Sequence, residues 1–588
     1  MRCLIDFPCE DGQRLQGWLV EPRAVLVARR HDDIISLLQA IDTHTQQGRW
    51  VVGMMAYEAA SAFDPAMPRL SPLPDVPLAA FAVFDDSHFQ SASFRRPLLA
   101  FTCTPWRGDT SLAAFNAAIA AIRDDIAAGS YYQTNFTTRL TSDFSGDAEA
   151  FFHALRDAQP DGYNLFLDAG AWQIASVSPE LFFAWNPKTG AITTRPMKGT
   201  AAVGGDLQSS AKDRAENLMI VDLLRNDLSR IADNVRVPEL FTVQHLPTAV
   251  QMTSTITATT RPNVKLADIF AALFPCGSIT GAPKIAAMQA IARYEFAPRG
   301  AYCGAMGVIR PDGTALFSVG IRSVTIANNI ATCGIGSGIT WDSNSADEYA
   351  ENQIKQRFLW RASASFALLE TLRLQDGTYA LLSRHRDRIC HSAAYFGFVF
   401  AVEKFDAALA TCAADNPQGL FRVRLLADRH GVIRTEVYPL EPMKAINSLL
   451  STSPPFIPPA SGVEYTCPLV TLASQPVAST DEFLRHKTTH RAVYEAAASR
   501  DPAIYDTLLF NERDEVTEFT RGNVVVELDG QRVTPPLSCG LLGGTLRAEL
   551  VERGELTERI ITRADLHRAT GLWFLNSVRG VVAVHMSV

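Results

Sequence analysis

The sequence predicts a mixed α/β chain in two parts, with α+β sheets rather than a regular βαβ alternation. Three observations carry this. Strand-like and helix-like runs interleave across 588 residues without a fixed beat. The length exceeds what one hydrophobic core serves, and about 150 residues per domain gives roughly two to four bodies. Near residue 362 a helical segment gives way to a new strand pattern, which sets the boundary between parts 1–362 and 363–588.

The elements follow in chain order. Met67–Val76 (MPRLSPLPDV) holds three prolines and reads as an extended surface loop. Helical runs are expected at Leu112–Ala127, Ala215–Ile231 and Lys284–Arg293, and strands at Phe182–Trp185, Val319–Ile326 and Val524–Leu528. A helical segment over Asp347–Arg361 precedes the boundary, and SFALLETLRL from Ser365 opens the second part as a strand. Ser451–Gly462 (STSPPFIPPASG) has four prolines and no period, and reads as a connection between two lobes.

Composition narrows the function classes. The chain is 47% hydrophobic and 20% charged, a globular balance. Its 54 basic and 62 acidic residues leave a net charge of -8, which argues against nucleic acid or an anionic membrane as partner. Met1–Val20 lacks a basic region followed by an apolar core, so no secretory signal is expected. No apolar run reaches the roughly 18 residues of a membrane span. The 10 cysteines form no C-x-x-C pair and read as reduced thiols, so the cytoplasm is the expected compartment.

The first candidate site starts from KDRAENLMIVDLLRNDLSR, Lys212 to Arg230. Leu218, Met219, Val221, Leu223 and Leu224 support a helix, and Asp213 and Glu216, three apart, share a face. A second helix carries Glu348, Glu351 and Lys355. Two helices with paired carboxylates can hold a hard cation such as Mg²⁺. Two solvated amphipathic helices would show the same spacing. FPCGSITGAPK (Phe274–Lys284) and TCGIGSGITWDS (Thr332–Ser343) are glycine turns whose amides can converge on a carboxylate or phosphate, or serve only as turns. Arg322, in FSVGIRSV, is read as a strand arginine, paired internally or aimed at an acidic ligand.

These stretches, taken together, resemble a known family. Tyr132-Gln133-Thr134-Asn135, Ser178-Pro179-Glu180, RPMKGT (195–200), ENLMIVDLLRND, GSITGAPK, AYCGAMG, GIGSGITWDS and DEYAENQIK occur in the order and spacing of the chorismate-utilising enzymes. That family includes anthranilate synthase component I, isochorismate synthase and aminodeoxychorismate synthase component I. The resemblance implies that Asp213, Glu216, Glu348 and Glu351 bind Mg²⁺, which holds the ring carboxylate of chorismate. It implies that Tyr302, Arg322 and the backbone of Gly336 and Gly338 hold the enolpyruvyl carboxylate, with polar contacts from Thr280 and Lys355. Glu180 becomes a general acid and then base. Lys198, in P-x-K-G-T, is similar to the aminodeoxychorismate synthases, where the amine attacks ring C2, the 4-hydroxyl leaves, and ammonia then attacks C4 and expels the lysine from C2. The lysine must be neutral to attack, and burial with nearby Mg²⁺ is expected to lower its pKa. Gln251 stands where many relatives carry a histidine; His245 is the nearest histidine. Glutamine cannot shuttle a proton near neutral pH, which fits a product that keeps its enolpyruvyl group. The sequence has no G-x-C-x-G nucleophile elbow, so a glutamine amidotransferase subunit is the expected source of ammonia.

The second part has its own constellation. Lys487 in HKTTHR is a candidate lysine for pyridoxal phosphate, Glu518 an anion for its ring nitrogen, and Gly543-Gly544-Thr545 an amide cradle before a helix at Leu546. Turns and surface charges would read alike from spacing alone. LLETLRL, LLSRHRDRICHSAAYFGF, FRVRLLAD, HKTTHR, EVTEFTRGNV, TPPLSCGLLGGTLR and LNSVRG resemble the fold-type IV pyridoxal-phosphate enzymes, which are two-lobed. The resemblance implies that Lys487 holds the cofactor, Glu518 pairs with its nitrogen, and Arg388 with the Gly544 and Thr545 amides holds its phosphate. Gly522 stands in place of the usual alanine in E-x-x-x-A-N, a small change expected to be tolerated. Aminotransferases and lyases of this type share these residues.

The two resemblances together imply a fused enzyme of p-aminobenzoate and folate biosynthesis, an aminodeoxychorismate synthase component I followed by an aminodeoxychorismate lyase. A homodimer through the second part is a further expectation of the resemblance. The alternatives are an anthranilate-like chorismate aminase fused to a true aminotransferase, and a binding subunit without activity.

Overall fold

The computed structural model describes residues 1–588 except 10–11, 92–99, 202–206, 246–249, 364–365, 442–466, 480 and 587–588, and omits the side chains of 200, 201 and 245. The proline-rich stretch Ser451–Gly462 lies outside the described residues. Contacts divide the chain into two compact units, Met1–Ser363 and Ala364–Val588.

The first unit contains two large sheets of antiparallel pairs. The eleven-stranded sheet has a central path of Gln133–Gly146, Ile330–Ile339, Ser323–Ala327, Trp172–Ser178, Tyr163–Asp168, Arg2–Pro8 and Arg14–Leu19. The ten-stranded sheet runs Met197–Ala201, Val250–Thr260, Ala191–Arg195, Leu181–Trp185, Ala315–Val319, Ala305–Ile309, Trp50–Met55, Ala79–Phe84 and Ala24–Ala28. Side-chain alternation explains how they stack. Cys3, Ile5 and Phe7 point into a core shared with Val52, Met54, Ala82 and Met306 of the other sheet, whereas Leu4 points the opposite way. Helices cover both outer faces. Ile34–Gln46, Ala211–Ser229 and Leu266–Leu273 pack on the ten-stranded sheet. Ala148–Ala158 and Arg357–Ser363 pack on the eleven-stranded one. Phe183 and Phe317 stack at 5.0 Å between centroids, and Phe270 meets both edge-on. Truncating Phe270 to alanine would cost about 3–5 kcal/mol.

Two details depart from the sequence reading. The expected strand Val319–Ile326 is two strands in different sheets, Ala315–Val319 and Ser323–Ala327. The chain crosses between them through Arg322, whose φ of +49° breaks the extended run. Arg322 is therefore a crossover residue and not a strand residue. The helical segment over Asp347–Arg361 is likewise two helices, Ser345–Lys355 and Arg357–Ser363, parted at Gln356.

The helices that bear the carboxylates are held at their starts. Ser210 accepts the Asp213 N–H at 3.2 Å, and Asn344 accepts the Asp347 N–H at 2.9 Å. In Ala211–Ser229 the buried stripe is Asn217, Ile220, Val221, Leu224, Asp227 and Leu228. Leu218, read as part of the apolar face, is 46% exposed because it lies off that stripe.

The second unit opens with an antiparallel sheet of Thr378–Tyr379, Leu368–Gln375, Leu420–Ala427 and Ile433–Pro439, backed by helices Leu382–Phe396 and Val402–Asp415. Its remainder holds a four-stranded and a five-stranded sheet that share the core of Val470, Leu508, Phe519, Val524 and Phe574. Among the described residues no helix is long and apolar enough to cross a membrane. All ten cysteines are free thiols.

Candidate active sites

In the first unit one cavity of ≈ 100 Å³ collects Lys198, Glu180, Asp213, Glu216, Glu348, Glu351, Lys355, Tyr302, Arg322, Gly336 and Gly338. Segments remote in sequence supply them, from both sheets and both capped helices. Thr280 does not reach this cavity. Its side chain is fully buried and its hydroxyl donates to the Cys276 carbonyl at 3.0 Å. Ser278, two residues earlier, takes that place: it lines the cavity and donates to Glu180 Oε1 at 2.5 Å.

The electrostatics are organised around lysine–carboxylate pairs. Lys198 Nζ lies 2.9 Å from Glu216 Oε1, Lys212 Nζ 3.3 Å from Glu348, and Lys355 Nζ 2.8 Å from Glu351. Gln133, buried, donates to the same Glu216 oxygen at 2.6 Å. Gly338 lets these side-chain ends come together. A Cβ on it would meet Gln133 Nε2 at 2.1 Å and Lys198 Nζ at 2.8 Å. Burial pushes the Glu180 carboxyl up to about 7. Burial works against charge on Lys198 too, but the attraction of Glu216 outweighs it and raises the amine's pKa. The protein groups alone thus raise the Lys198 pKa, whereas the expected lowering counted on a nearby Mg²⁺ as well as on burial. In this arrangement the amine is held as an ammonium, because its carboxylate partner is in contact.

Arg322 is buried, and burial pulls its guanidinium down to about 10. It donates to Gln159 and has no carboxylate partner among the described residues. A buried guanidinium facing a cavity in this state suits a carboxylate ligand. Gln251 also lines the cavity, 4% exposed, and its amide oxygen has no hydrogen-bond partner among the described residues. The four carboxylates read as cation ligands border one cavity and offer only oxygen donors, which fits a hard cation. Three of them are neutralised by lysines instead, and among the described residues no three acidic, histidine or cysteine groups converge to hold a metal.

The second unit has a separate cavity of ≈ 610 Å³, lined among others by Lys487, Glu518, Arg388, Gly544, Thr545 and Tyr494. The segment of Lys487 is fixed to the first strand of the unit, since Leu369 N donates to the Lys487 carbonyl at 3.0 Å. Burial first, then the nearby Arg388, lowers the Lys487 amine to about 8. Glu518, 3% exposed, accepts from Tyr494 Oη at 2.8 Å and Leu542 N at 3.0 Å, and burial raises it to about 7. Arg388 grips Glu370 through Nε at 2.8 Å and a second nitrogen at 2.6 Å, and donates to the Gly543 carbonyl at 3.2 Å. Glu370 also meets His385 Nδ1 at 2.6 Å, and His385 Nε2 lies 3.3 Å from the Thr545 hydroxyl. These contacts fix the start of helix Thr545–Glu552, whose first amides lack intrahelical partners. A Cβ on Gly544 would meet Asn523 Oδ1 at 1.9 Å. An amine near neutrality, a buried carboxyl and a helix start beside an arginine fit an aldehyde cofactor carrying a ring nitrogen and a phosphate.

Comparison with known proteins adds the family. A profile for chorismate binding enzymes matches residues 10–361, well over half of the chain. This chain belongs to the chorismate-binding enzymes. A second profile, amino-transferase class IV, matches residues 367–586, so the chain joins a domain of each kind. Among curated relatives, aminodeoxychorismate synthase component 1 of Klebsiella aerogenes is 39% identical over 264 residues, 43% of this chain and 58% of the relative. The protein of the same name from Escherichia coli K12 is 38% identical over the same lengths. The match therefore spans little more than half of those relatives. Anthranilate synthase component I of Streptococcus pneumoniae shares the fold, with a TM-score of 0.51 at 24% identity over 61% of this chain and 92% of that one.

Sequence reasoning had not marked Ser278, Lys212 as a partner of Glu348, Gln133, Glu370 or His385. Ser278 and Gln133 lay inside quoted motifs, and nothing in the spacing distinguished them from their neighbours.

Proposed function

We propose that the chain is a bifunctional enzyme of p-aminobenzoate formation. The first unit aminates chorismate to 4-amino-4-deoxychorismate, and the second removes pyruvate from it to give p-aminobenzoate. The observation that carries the reading is Lys198, a buried amine in one cavity with the Glu180 carboxyl. An enzyme with alanine at that place has no such nucleophile.

Once the Lys198 ammonium has lost a proton to water, its amine attacks ring C2 of chorismate while Glu180 gives its own proton to the departing 4-hydroxyl. A carboxyl with a pKa of about 7 is well matched to that transfer. Ser278 holds Glu180 in place by its 2.5 Å hydrogen bond. Ammonia then attacks C4 and the Lys198 amine leaves. Arg322 and Tyr302 orient a carboxylate of the substrate. Asp213, Glu216, Glu348 and Glu351 would hold Mg²⁺ once the lysine pairs of the last three part, and the ion would supply positive charge for the ring carboxylate. Gln251 lacks a titratable proton, so the enolpyruvyl group is retained.

In the second unit Lys487, Glu518, Arg388, Gly544 and Thr545 would hold pyridoxal phosphate, which supplies an electron sink next to the substrate amine. Lys487 moves the C4 proton, and Tyr494 keeps Glu518 oriented. Ammonia is supplied by a separate glutamine amidotransferase subunit, and the second unit is expected to dimerise, which sedimentation tests. The decisive variant is K198A. Loss of aminodeoxychorismate formation with intact folding is the expected result, and unchanged formation would remove Lys198 as nucleophile. A chain that passes an amino group to a 2-oxo acid and releases no pyruvate would make the second unit an aminotransferase.

A further inference from the structure

Beside Lys198 stands a buried amide that no described protein group engages. Asn135, in Gln133–Gly146, lies directly opposite Gly338, in Ile330–Ile339. Directly opposed residues of an antiparallel pair share a face, with Cβ positions about 4.5–5.5 Å apart. A Cβ on Gly338 would lie 2.8 Å from Lys198 Nζ, so this face carries the lysine tip. The Asn135 side chain projects next to it and lines the first cavity at 6% exposure. Its backbone is fixed. The N–H donates to the Thr280 carbonyl at 2.8 Å, and the carbonyl accepts from Arg299 at 3.4 Å. The side-chain amide, by contrast, has no hydrogen-bond partner among the described residues. A buried amide left unpaired costs stability, so one in a cavity wall is placed for a ligand or a reacting group.

The other neutral side chains near the lysine are committed elsewhere. Gln133 uses its amide nitrogen on Glu216, and its oxygen is covered. The Gln251 oxygen is covered as well. Ser278 donates to Glu180 at 2.5 Å. Tyr302 lies against Gly334, a full four positions along the strand from Gly338.

Lys198 needs an acceptor of this kind. An amine attacks through its lone pair, so its N–H bonds must be held away from the target carbon. Glu216 accepts from Lys198 at 2.9 Å, but the same carboxylate is one of the four proposed to hold a cation. When Glu216 turns to the cation, Asn135 is the neighbouring uncommitted acceptor.

We propose that Asn135 is a positioning residue for the Lys198 nucleophile. Its side-chain oxygen accepts an N–H of the amine and aims the lone pair at the ring carbon under attack. The proposal rests on the reading of Lys198 as nucleophile and adds the group that orients it.

The test uses the full chain with chorismate and Mg²⁺ but no ammonia, so that reaction stops at the covalent stage. There the N–C2 bond forms, the C4–O bond breaks, and the Glu180 proton leaves with the hydroxyl as water. Intact-mass spectrometry follows the adduct with time. N135L, similar in size but without an acceptor, should form it at least about ten-fold more slowly, the effect of one hydrogen bond lost in the transition state. N135A, which only removes atoms, should behave alike, and N135Q, which keeps an amide oxygen, should recover part of the rate. With ammonium present, kcat should fall by the same factor while KM for chorismate stays within about two-fold, since orienting the lysine is not binding the substrate. A distorted cavity would move KM instead. An adduct rate unchanged in N135L and N135A, or a rise in KM that accounts for the whole loss of kcat/KM, overturns the proposal. An unaltered chain that forms no adduct overturns the reading of Lys198 as nucleophile, and the proposal with it.

Discussion

Glu216 Oε1 stands 2.9 Å from the Lys198 ammonium and fixes its charge. The same oxygen accepts from Gln133, so the carboxylate is held while the amine is neutralised. A nucleophile must shed that proton, and the group that keeps it there is one of the four carboxylates proposed to hold a cation. Replacing Glu216 with glutamine removes the attraction and leaves burial as the dominant influence on Lys198. The pH at which Lys198 becomes reactive toward an acylating reagent, followed by peptide mass spectrometry without metal, should then fall. An unchanged reactivity profile would mean that Glu216 does not set the charge on Lys198.

Cofactor uptake should depend on pH through Lys487. Its pKa is lowered to about 8, so the neutral amine is a minor species at pH 6 and the major one above about 8. The rate at which the cofactor-free chain takes up pyridoxal phosphate should rise through that range and level off. A profile still climbing between pH 9 and 10 would indicate an ordinary exposed lysine.

Glu370 joins His385 and Arg388 in a buried cluster, and its carboxyl is depressed to about 2, against the burial that alone would raise it. A depressed carboxyl stabilises the fold above its unfolded pKa, near 4.5. That contribution is lost as pH falls from there toward 2. E370Q leaves Arg388 buried without its anion, and should cost about 3–5 kcal/mol in denaturant unfolding of the second unit near neutral pH. The difference from the unaltered chain should shrink in acid. A cost that does not vary between pH 7 and pH 3 would show that the ionised carboxylate is not what stabilises the cluster.

Position 522 leaves no room for a side chain in this chain. A Cβ there would meet the Leu575 carbonyl at 2.6 Å and the Phe574 ring at 2.7 Å. G522A should cost about 1–3 kcal/mol of stability, measured by thermal or denaturant unfolding. Wild-type stability in that variant would mean that strand Gly571–Asn576 yields easily.

Much of the site was legible because chemistry constrains residue type. A lysine in P-x-K-G-T, paired carboxylates on two helices and glycines too crowded for a side chain all leave marks in sequence. The hydroxyl partner of Glu180 was not legible. Ser278 and Thr280 are two apart in one turn, and only the fold decides which faces the cavity. Arg322 misled for a similar reason. The apolar run around it spans two strands of two sheets, and one left-handed φ separates them. The sandwich of two sheets was also hidden. Strands such as Trp50–Met55 are buried on both faces and show no alternation to read. The Lys212–Glu348 pair lay beyond sequence because its partners are 136 positions apart, whereas Glu351 and Lys355 are four apart on one helix.

The most direct test is one incubation of the purified chain with chorismate, Mg²⁺, pyridoxal phosphate and an ammonium salt, with products separated by chromatography. p-Aminobenzoate with an equal amount of pyruvate is the result expected of two working sites in one chain. Anthranilate in place of p-aminobenzoate would contradict the account, because it would mean that Lys198 does not direct the amine to C4.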